Sequence, residues 1–453
     1  MFIPPNFEQT TFNNRAPRDR ISALDDSHAA IAPYAHHLRI ELADHDDLLR
    51  FEKVCHVADF EPRPVRIARV DALAKNFFSR HELNRVQRWM ETMDWKSAFQ
   101  VEAYLRCGLL NTHDLRALQE PIEDVIRDHG REASALLRLF AVELKIRQPD
   151  EHPNDCLARV RTQHPTLETL LLAPGLVSCH HVIITPSRIL IEGPYPTQSN
   201  RVIRHYQSRD PALVERFIRV EFRDEDRLNY RWGGNVDGSS FLHQRVGGIL
   251  RDGFTLSGRS FEFLAYSTSS LREHSFWFIA PFRDPEEGYV TAEKIRASLG
   301  DFSKLLRTPS KYAARVAQAF IATDPSVKIN RDQWEEQPEL GPHTDGVGTI
   351  SPKLAAMIWE TKRNASGNRD QVEPSAYQFR FLGYKGVVVV DHRLEGIKMR
   401  LRDSQCKFPA LTDEVAEFEI VRAFNCPNPA HLNRFVALWF LSIFQLIPNF
   451  LGL

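Results

Sequence analysis

The sequence predicts an α+β protein with a mainly helical region at residues 36–165, a β-rich region at 166–340 and a compact β region at 341–434. Two observations predict this order. Between residues 60 and 160, apolar side chains recur at helical spacing. From about residue 166 they form short runs with a period of two, rich in β-branched and aromatic residues and bounded by Gly, Pro and Asp.

Composition excludes several classes of protein. The 453 residues are 43% hydrophobic and 26% charged, which is typical of a globular chain and excludes a mainly disordered, collagen-like or disulfide-dense one. Lys and Arg number 58 and Asp and Glu 59, so any basic surface must be local. The six cysteines show no C-x-x-C spacing, and the N-terminus has no apolar signal segment. We therefore expect an intracellular protein, nuclear or cytoplasmic.

The ends of the chain differ from its middle. Residues 1–35 are polar and irregular and are predicted to be a flexible N-terminus. Residues 435–453 contain no charged side chain. This apolar tail is interpreted as a core element that lacks its partner, at the end of a truncated chain. The alternative is a tail anchor in a bilayer, although Pro448 and Asn449 are costly in hydrocarbon.

Signatures of common active sites are missing from the sequence, which has no G-x-S-x-G, H-E-x-x-H, Walker loop or G-x-G-x-x-G after a strand. The pair His180-His181 lacks a third ligand at a convincing spacing and is interpreted as core or solvated histidine. The acidic run at 224–226 could hold a metal, but a solvated turn after a strand is the simpler interpretation. No metal site is predicted.

A local excess of positive charge stands out between Ser375 and Ala410. Three acidic residues accompany seven basic ones, so the local charge is 7 − 3 = +4; the basic residues are Arg380, Lys385, Arg393, Lys398, Arg400, Arg402 and Lys407. Gly383 and Gly386 bracket Lys385, which predicts a bulge or tight turn where backbone can approach a ligand. Arg400 and Arg402 share one face of a strand. Such a cluster suits phosphate contacts, or it is a solvated charged face of a sheet.

Two further segments are candidates for binding. Arg201 and Arg204 follow a Gly-Pro-Tyr-Pro turn that either positions backbone for a ligand or is purely structural. The segment 341–351 holds Gly346 and Gly348 in a turn before a helix-like stretch, with candidate N-caps at Thr344, Asp345 and Ser351.

The order and the amino-acid sequences of these segments resemble those of a known family. The matching words are GP…SNRVIRHY at 193–206, FIRVEFRDED at 217–226, the region 245–279, SKYAARVAQAF at 310–320, TDGVGTIS at 344–351, PSAYQFRFLGYKGVVVVD at 374–391, MRLRDSQCKF at 399–408 and LNR at 432–434. In this order they resemble the eukaryotic RNA-silencing RNA-dependent RNA polymerases, the fungal quelling-type family also found in plants and nematodes. The first 165 residues contain no motif that resembles this family.

This resemblance implies a two-barrel polymerase in which residues 341–434 form the first double-psi β-barrel, truncated before the second. It implies that Arg380, Lys385 and Lys407 form the basic half of the active centre. RNA contacts would come from Arg201, Arg204, Arg400 and Arg402. The implied partners are single-stranded RNA template, nucleoside triphosphates and silencing-pathway proteins, with no membrane, and the implied product is double-stranded RNA.

The chain departs from the family pattern in one major respect. The family binds Mg²⁺ through a D-x-D-G-D signature on the second barrel, and this sequence contains none; Asp237-Gly238 and Asp345-Gly346 lack the flanking aspartates. Two smaller departures from the family pattern are His343, directly before the TDGVG motif, and Asp403, directly before the SxxKF motif. The isolated chain is therefore expected to be inactive. The alternative is a non-catalytic RNA-binding short form or a pseudogene product.

Overall fold

The computed structural model describes residues 80–148, 151–163, 172, 175–186, 188–224, 226–230, 239, 241–366, 372–412 and 414–424. The chain forms two compact units, residues 1–322 and residues 323–453. The predicted flexible N-terminus, the first part of the helical region (36–79) and the apolar tail lie outside the described residues.

Within the described residues, the first unit opens with six helices between residues 80 and 163, as the spacing of apolar residues predicts. They are α1 (Arg80–Met90), α2 (Trp95–Arg106), α3 (Thr112–Ala117), α4 (Gln119–His129), α5 (Ala133–Ile146) and α6 (Pro153–Gln163). Side-chain caps fix the starts of α2 and α3. The Asp94 carboxylate accepts from the Ser97 backbone N–H at the start of α2. The phenol of Tyr104, fully buried, donates to the Leu137 carbonyl at 2.6 Å and ties α2 to α5.

A six-stranded sheet follows in the order β2-β1-β3-β6-β5-β4. Its strands are β1 (Leu176–Ile184), β2 (Ile189–Gln198), β3 (Phe217–Phe222), β4 (Phe254–Leu256), β5 (Arg259–Ala265) and β6 (Ser275–Ile279). Strands β1 and β3 are parallel and the other neighbours antiparallel. Trp95 and Phe99 of α2 pack into the core of this sheet. The Glu102 carboxylate, paired with Arg106 at 2.6 Å, also accepts from the Ser257 backbone N–H, which fixes α2 to the β4–β5 turn.

The described residues of the first unit also form short helices and one small hairpin. They are α7 (Arg201–Arg209), α8 (Gly247–Asp252), α9 (Thr268–Arg272), α10 (Ala292–Ser298), α11 (Pro309–Val316) and the hairpin β7 (Phe282–Asp284) with β8 (Gly288–Val290). The helix predicted from the segment 310–320 is α11, and 3-10 turns flank it. None of the helices in the described ranges is long and apolar enough to cross a membrane.

The second unit is built on a seven-stranded mixed sheet in the order β10-β14-β11-β13-β12-β15-β9. Its strands are β9 (Asp324–Asn330), β10 (Trp334–Gln337), β11 (Val347–Ile350), β12 (Ala376–Phe381), β13 (Tyr384–Val390), β14 (Met399–Arg402) and β15 (Val415–Phe424). The pairs β10–β14 and β11–β13 are parallel. Strands β9 and β10 belong to this sheet although they precede residue 341.

One helix, α12 (Pro352–Ser366), connects β11 to β12 and covers the core of the second unit. The Ser351 hydroxyl accepts from the Leu354 backbone N–H at 3.2 Å, so this serine is the N-cap among the three candidates. Alternation along β12 buries Tyr377, Phe379 and Phe381 on the core side. Phe379 stacks on Phe418 of β15 with ring centroids 5.3 Å apart. The other face of β12 is left for Gln378 and Arg380.

Candidate functional site

The centre of the basic cluster is the hairpin of β12 and β13. Arg380 lies opposite Lys385, and Phe381 lies opposite Tyr384, so the turn consists of Leu382 and Gly383 alone. A Cβ atom on Gly383 would lie 1.7 Å from the Phe408 carbonyl oxygen. Only glycine therefore allows this approach of two backbone segments. The sequence predicts the turn at Lys385 and a ligand as the approaching group; the structure places the turn at Leu382 and Gly383, with Lys385 in β13, and the approaching group is the Phe408 carbonyl.

The chain returns to this hairpin turn after β14. The Lys407 backbone N–H donates to the Gly383 carbonyl at 2.9 Å, and the Lys407 ammonium donates to the Ser404 carbonyl. The structure thereby brings the backbones of Arg380, Lys385 and Lys407 together around one turn, although 22 positions of sequence separate the two lysines.

Arg380 is a buried cation, with 7% of the residue exposed. Its Nη1 donates to the Phe379 carbonyl at 2.8 Å, and its Nε is buried with no hydrogen-bond partner among the described residues. Burial lowers the pKa of this guanidinium, and the negative charge of Glu419 opposes that shift. Glu419, 3% exposed, lies opposite Arg380 on β15. Directly opposed residues share a face, so Glu419, Arg380 and Lys385 form one charged row across three strands.

Gln405 joins the segments around this charged row, and sequence reasoning missed it. It is fully buried; its Nε2 donates to the carbonyls of Gly346 (3.2 Å) and Val387 (3.0 Å), and its Oε1 accepts from the Arg402 N–H (2.9 Å). A Cβ on Gly386 would lie 2.6 Å from the Gln405 Nε2. The signal in the sequence is the recurrence of glycine at 346, 348, 383 and 386, which indicates space reserved for another residue.

Glu339 fixes the turn that precedes β11. Its carboxylate accepts from the Ser404 N–H at 3.0 Å and from the Thr344 hydroxyl at 2.6 Å. Hydrogen bonds from these two residues lower the pKa of Glu339 below its usual range. The Ser404 hydroxyl in turn accepts from the Gly346 N–H at 2.8 Å. The glycine-rich segment 341–351 and residues 404–408, the SQCKF segment, are therefore held together by several hydrogen bonds.

The two arginines of β14 differ in accessibility. They share the face opposite the buried Met399 and Leu401, as predicted. Arg400 pairs through Nε with Glu335 on β10 at 2.5 Å, with 39% of its side chain exposed. Arg402 is 8% exposed, and its Nη1 donates to the Pro338 carbonyl at 2.5 Å. A contact between RNA and either arginine stays a prediction.

The other two arginines of interest lie in the first unit. Arg201 and Arg204 are half-buried on α7, whose N-cap Asn200 accepts from the Ile203 N–H at 3.1 Å. Positions three apart in a helix share a face, so the two side chains are neighbours there. Their contact with RNA also stays a prediction.

His180 is buried in the core of the first unit, and its neighbour His181 is half-buried. The His180 ring makes edge contacts with Trp95 and Phe99, at centroid distances of 4.7 and 4.5 Å. Burial lowers the pKa of His180 to about 3. Burial also lowers the pKa of His181 to about 4. Both rings are therefore neutral near pH 7, in agreement with the core interpretation.

Potential metal ligands are scattered in the described part of the chain. Asp224 lies in a turn after β3, where its N–H donates to the Leu228 carbonyl, and Glu225 lies outside the described residues. Within the described ranges, no three His, Cys, Asp or Glu side chains form a group that could hold a metal ion. The Mg²⁺ that the resemblance implies therefore finds no fitting ligand set among these residues.

Comparison with known sequences identifies one family. The family described as RNA dependent RNA polymerase matches residues 184–439. RNA-dependent RNA polymerase 1 of Arabidopsis thaliana is 35% identical over 283 residues, 60% of this chain and 24% of that protein. RNA-dependent RNA polymerase 1 of Schizosaccharomyces pombe is 32% identical over 262 residues, 55% of this chain and 20% of that protein.

Among solved structures, the RNA dependent RNA polymerase QDE-1 from Thielavia terrestris is similar to this chain, with a TM-score of 0.41 and 19% sequence identity. The match covers 67% of this chain and 34% of the QDE-1 chain. The chain thus spans 24% of the length of the Arabidopsis relative and 33% of a similar rice protein, named as a probable RNA-dependent RNA polymerase 1.

Proposed function

The chain belongs to the RNA-dependent RNA polymerase family, and from this we propose that its second unit supplies the basic half of an RNA-directed RNA polymerase active centre. In this proposal the seven-stranded sheet includes the first double-psi β-barrel. The substrates are a single-stranded RNA template and nucleoside triphosphates, and the product is double-stranded RNA for silencing.

The observation that carries the proposal is the convergence of Arg380, Lys385 and Lys407 on one glycine turn in a chain whose net charge is −1. In nucleotidyl transfer a 3′-hydroxyl oxygen attacks an α-phosphorus, and pyrophosphate leaves with the electrons of the broken P–O bond. Negative charge on the phosphoryl oxygens must be stabilised as this happens, and fixed cations in a partly desolvated site do so. No step of the proposal is assigned to a metal ion, because the described residues offer no ligand set.

Removal of the Lys385 charge tests the proposal on the chain itself. We expect Lys385→Ala to weaken binding of a single-stranded oligoribonucleotide and to reduce the slope of log affinity against log salt by about 0.7, the value for one phosphate contact. The melting temperature should stay close to that of the wild type, because Lys385 lies on the face opposite the core. Fluorescence anisotropy at four salt concentrations measures the slope.

The matched control is Lys353→Ala, which removes an exposed lysine of α12 in the same unit. An unchanged slope for Lys385→Ala, or an equal reduction for Lys353→Ala, would contradict a phosphate contact at Lys385. A large fall in melting temperature for Lys385→Ala would instead assign the lysine a structural role.

A second function, RNA binding without catalysis, is favoured for the isolated chain by one observation. The 453 residues contain no D-x-D-G-D. We therefore expect the purified chain to bind RNA but to incorporate no labelled nucleotide when given template, nucleoside triphosphates and Mg²⁺. Incorporation above that of a mock preparation would refute this expectation.

A further inference from the structure

We infer that Gln405 is a positioning residue, which sets the relative placement of Lys385 and Lys407 and so their joint binding of a phosphate group. This inference rests on the proposed function, because it concerns the same basic site. Gln405 does not itself face the ligand, since it is fully buried. It acts through the backbone segments to which its amide is bonded.

Both the NH₂ group and the oxygen of the Gln405 carboxamide make hydrogen bonds. Its NH₂ group donates to two carbonyls, on Gly346 and Val387, while its oxygen accepts the N–H of Arg402. The Gly346 carbonyl also accepts from the Val387 N–H at 3.0 Å. Among side chains of this length only an amide combines two donated bonds and one accepted bond without charge. A carboxylate in its place would present an oxygen to two carbonyl oxygens.

One bond of the amide leads to Lys385, and the backbone after Gln405 leads to Lys407. Val387 is two residues after Lys385 on β13. Lys407 is two residues after Gln405, and its N–H is bonded to the Gly383 carbonyl on the other side of Lys385. The backbone around Lys385 is therefore attached to the SQCKF segment both before and after the lysine. A shift of Gln405 would move the two ammonium groups relative to each other.

Neighbouring glycines confine the amide to one position. Cβ atoms on Gly348 and Gly386 would lie 2.8 Å from its Oε1 and 2.6 Å from its Nε2. Both distances are shorter than real Cβ contacts, so the two strands have closed on the amide as far as glycine permits. The absence of a side chain at these positions is thus explained by Gln405 together with the carbonyl oxygens of Arg400 and Gly346, which would lie 2.4 and 2.5 Å from the two Cβ atoms.

The experiment uses the full 453-residue chain, a single-stranded oligoribonucleotide and the variant Gln405→Glu, with affinity corrected to the folded fraction from circular dichroism. Above the pKa of the new carboxyl, we expect affinity about tenfold below wild type, because two buried carbonyls lose their donor and face a negative charge. Below that pKa the neutral acid donates one bond, and most of the affinity returns. The ratio of wild-type to variant affinity is measured over a range of pH on both sides of neutrality.

Gln333→Glu is the matched control for the added charge. Gln333 Oε1 accepts from the Asn330 N–H in a capping box in the same unit, where an acid serves equally well. The second comparison places Gln405→Glu in a Lys385→Ala/Lys407→Ala background. Because the amide acts through these lysines, its substitution should have little further effect on affinity there.

The outcomes distinguish a failure of the Gln405 inference from a failure of the proposed function. If wild type shows no salt-dependent RNA binding, the proposed function fails and the inference fails with it. If wild type binds and Gln405→Glu behaves as Gln333→Glu, or loses the same factor with and without the lysines, the inference alone is overturned. If Gln405→Glu is unfolded at every pH, the neutral variant Gln405→Met replaces it. Its RNA affinity is measured with and without Lys385→Ala/Lys407→Ala, and we again expect it to have little further effect when the two lysines are absent.

Discussion

Gly383→Ala is expected to destabilise the second unit by about 3 kcal/mol or more, the upper range for overpacking. The added Cβ would lie 1.7 Å from the Phe408 carbonyl oxygen and 2.9 Å from its carbon, and both atoms belong to backbone that cannot rotate aside. The β12–β13 turn and the segment after β14 must separate to admit it. The hydrogen bond from Lys407 to Gly383 would break in that movement, so RNA affinity should fall with stability.

Urea denaturation of the full chain gives the loss of stability, and hydrogen exchange in peptides from residues 376–408 shows where it occurs. Fluorescence anisotropy with a single-stranded oligoribonucleotide gives the change in RNA affinity. The matched variant is Gly396→Ala, in the same unit, where φ is +68° and no atom lies within 4 Å of the new Cβ. Backbone strain alone should cost about 1 kcal/mol there. If Gly383→Ala costs no more than Gly396→Ala, the approach of Phe408 is not the reason for glycine at the turn.

The elements of this site could be predicted from the sequence because their signals are local. The short apolar runs with a period of two predicted strands after residue 166, and β12 is one of them, with Tyr377, Phe379 and Phe381 buried on one face. The glycines around Lys385 indicated a tight turn, and the structure has one at Leu382 and Gly383, two residues before the lysine. The predicted close approach to a ligand is instead an approach to the Phe408 backbone. Both patterns occupy a few consecutive residues and depend on no distant partner.

The environment of each charge could not be predicted, since it depends on which strands become neighbours. The sequence counts Arg380, Arg400 and Arg402 as equal members of a basic cluster. The sheet order then buries Arg380 beside Glu419, pairs Arg400 with Glu335 and turns Arg402 toward Pro338. Each partner is between 39 and 65 positions distant in sequence. No periodicity carries that information, because a side chain's desolvation is decided by tertiary contacts.

Glu419→Gln is expected to destabilise the second unit by about 3 kcal/mol, because it leaves the buried Arg380 cation without its opposed negative charge. Burial already lowers the pKa of Arg380, and Glu419 is the charge that offsets this shift. The substitution keeps shape and removes only charge. The same urea and hydrogen-exchange measurement on the full chain gives the free energy of unfolding, with peptides that cover β12 and β15.

Two controls separate the charge effect from a general one. Glu395→Gln removes an exposed carboxylate in the same unit and should change stability by less than about 0.5 kcal/mol. Arg380→Met added to Glu419→Gln removes both buried charges and should restore most of the lost stability, since a buried ion pair is often replaced by apolar groups at little cost. Additive losses in the double variant would show that Arg380 and Glu419 do not act as a pair.

The effect of Glu419→Gln on RNA binding should have the opposite sign to its effect on stability. The charged row Glu419, Arg380, Lys385 carries −1 + 1 + 1 = +1, and in the variant, where a neutral amide replaces the carboxylate, it carries +2. Phosphate binding per folded molecule should therefore tighten and its salt dependence steepen, while the unit unfolds more readily. A purely structural Glu419 would predict weaker binding and weaker stability together. The sign of the affinity change thus decides whether Glu419 moderates the positive charge that the basic site offers to RNA.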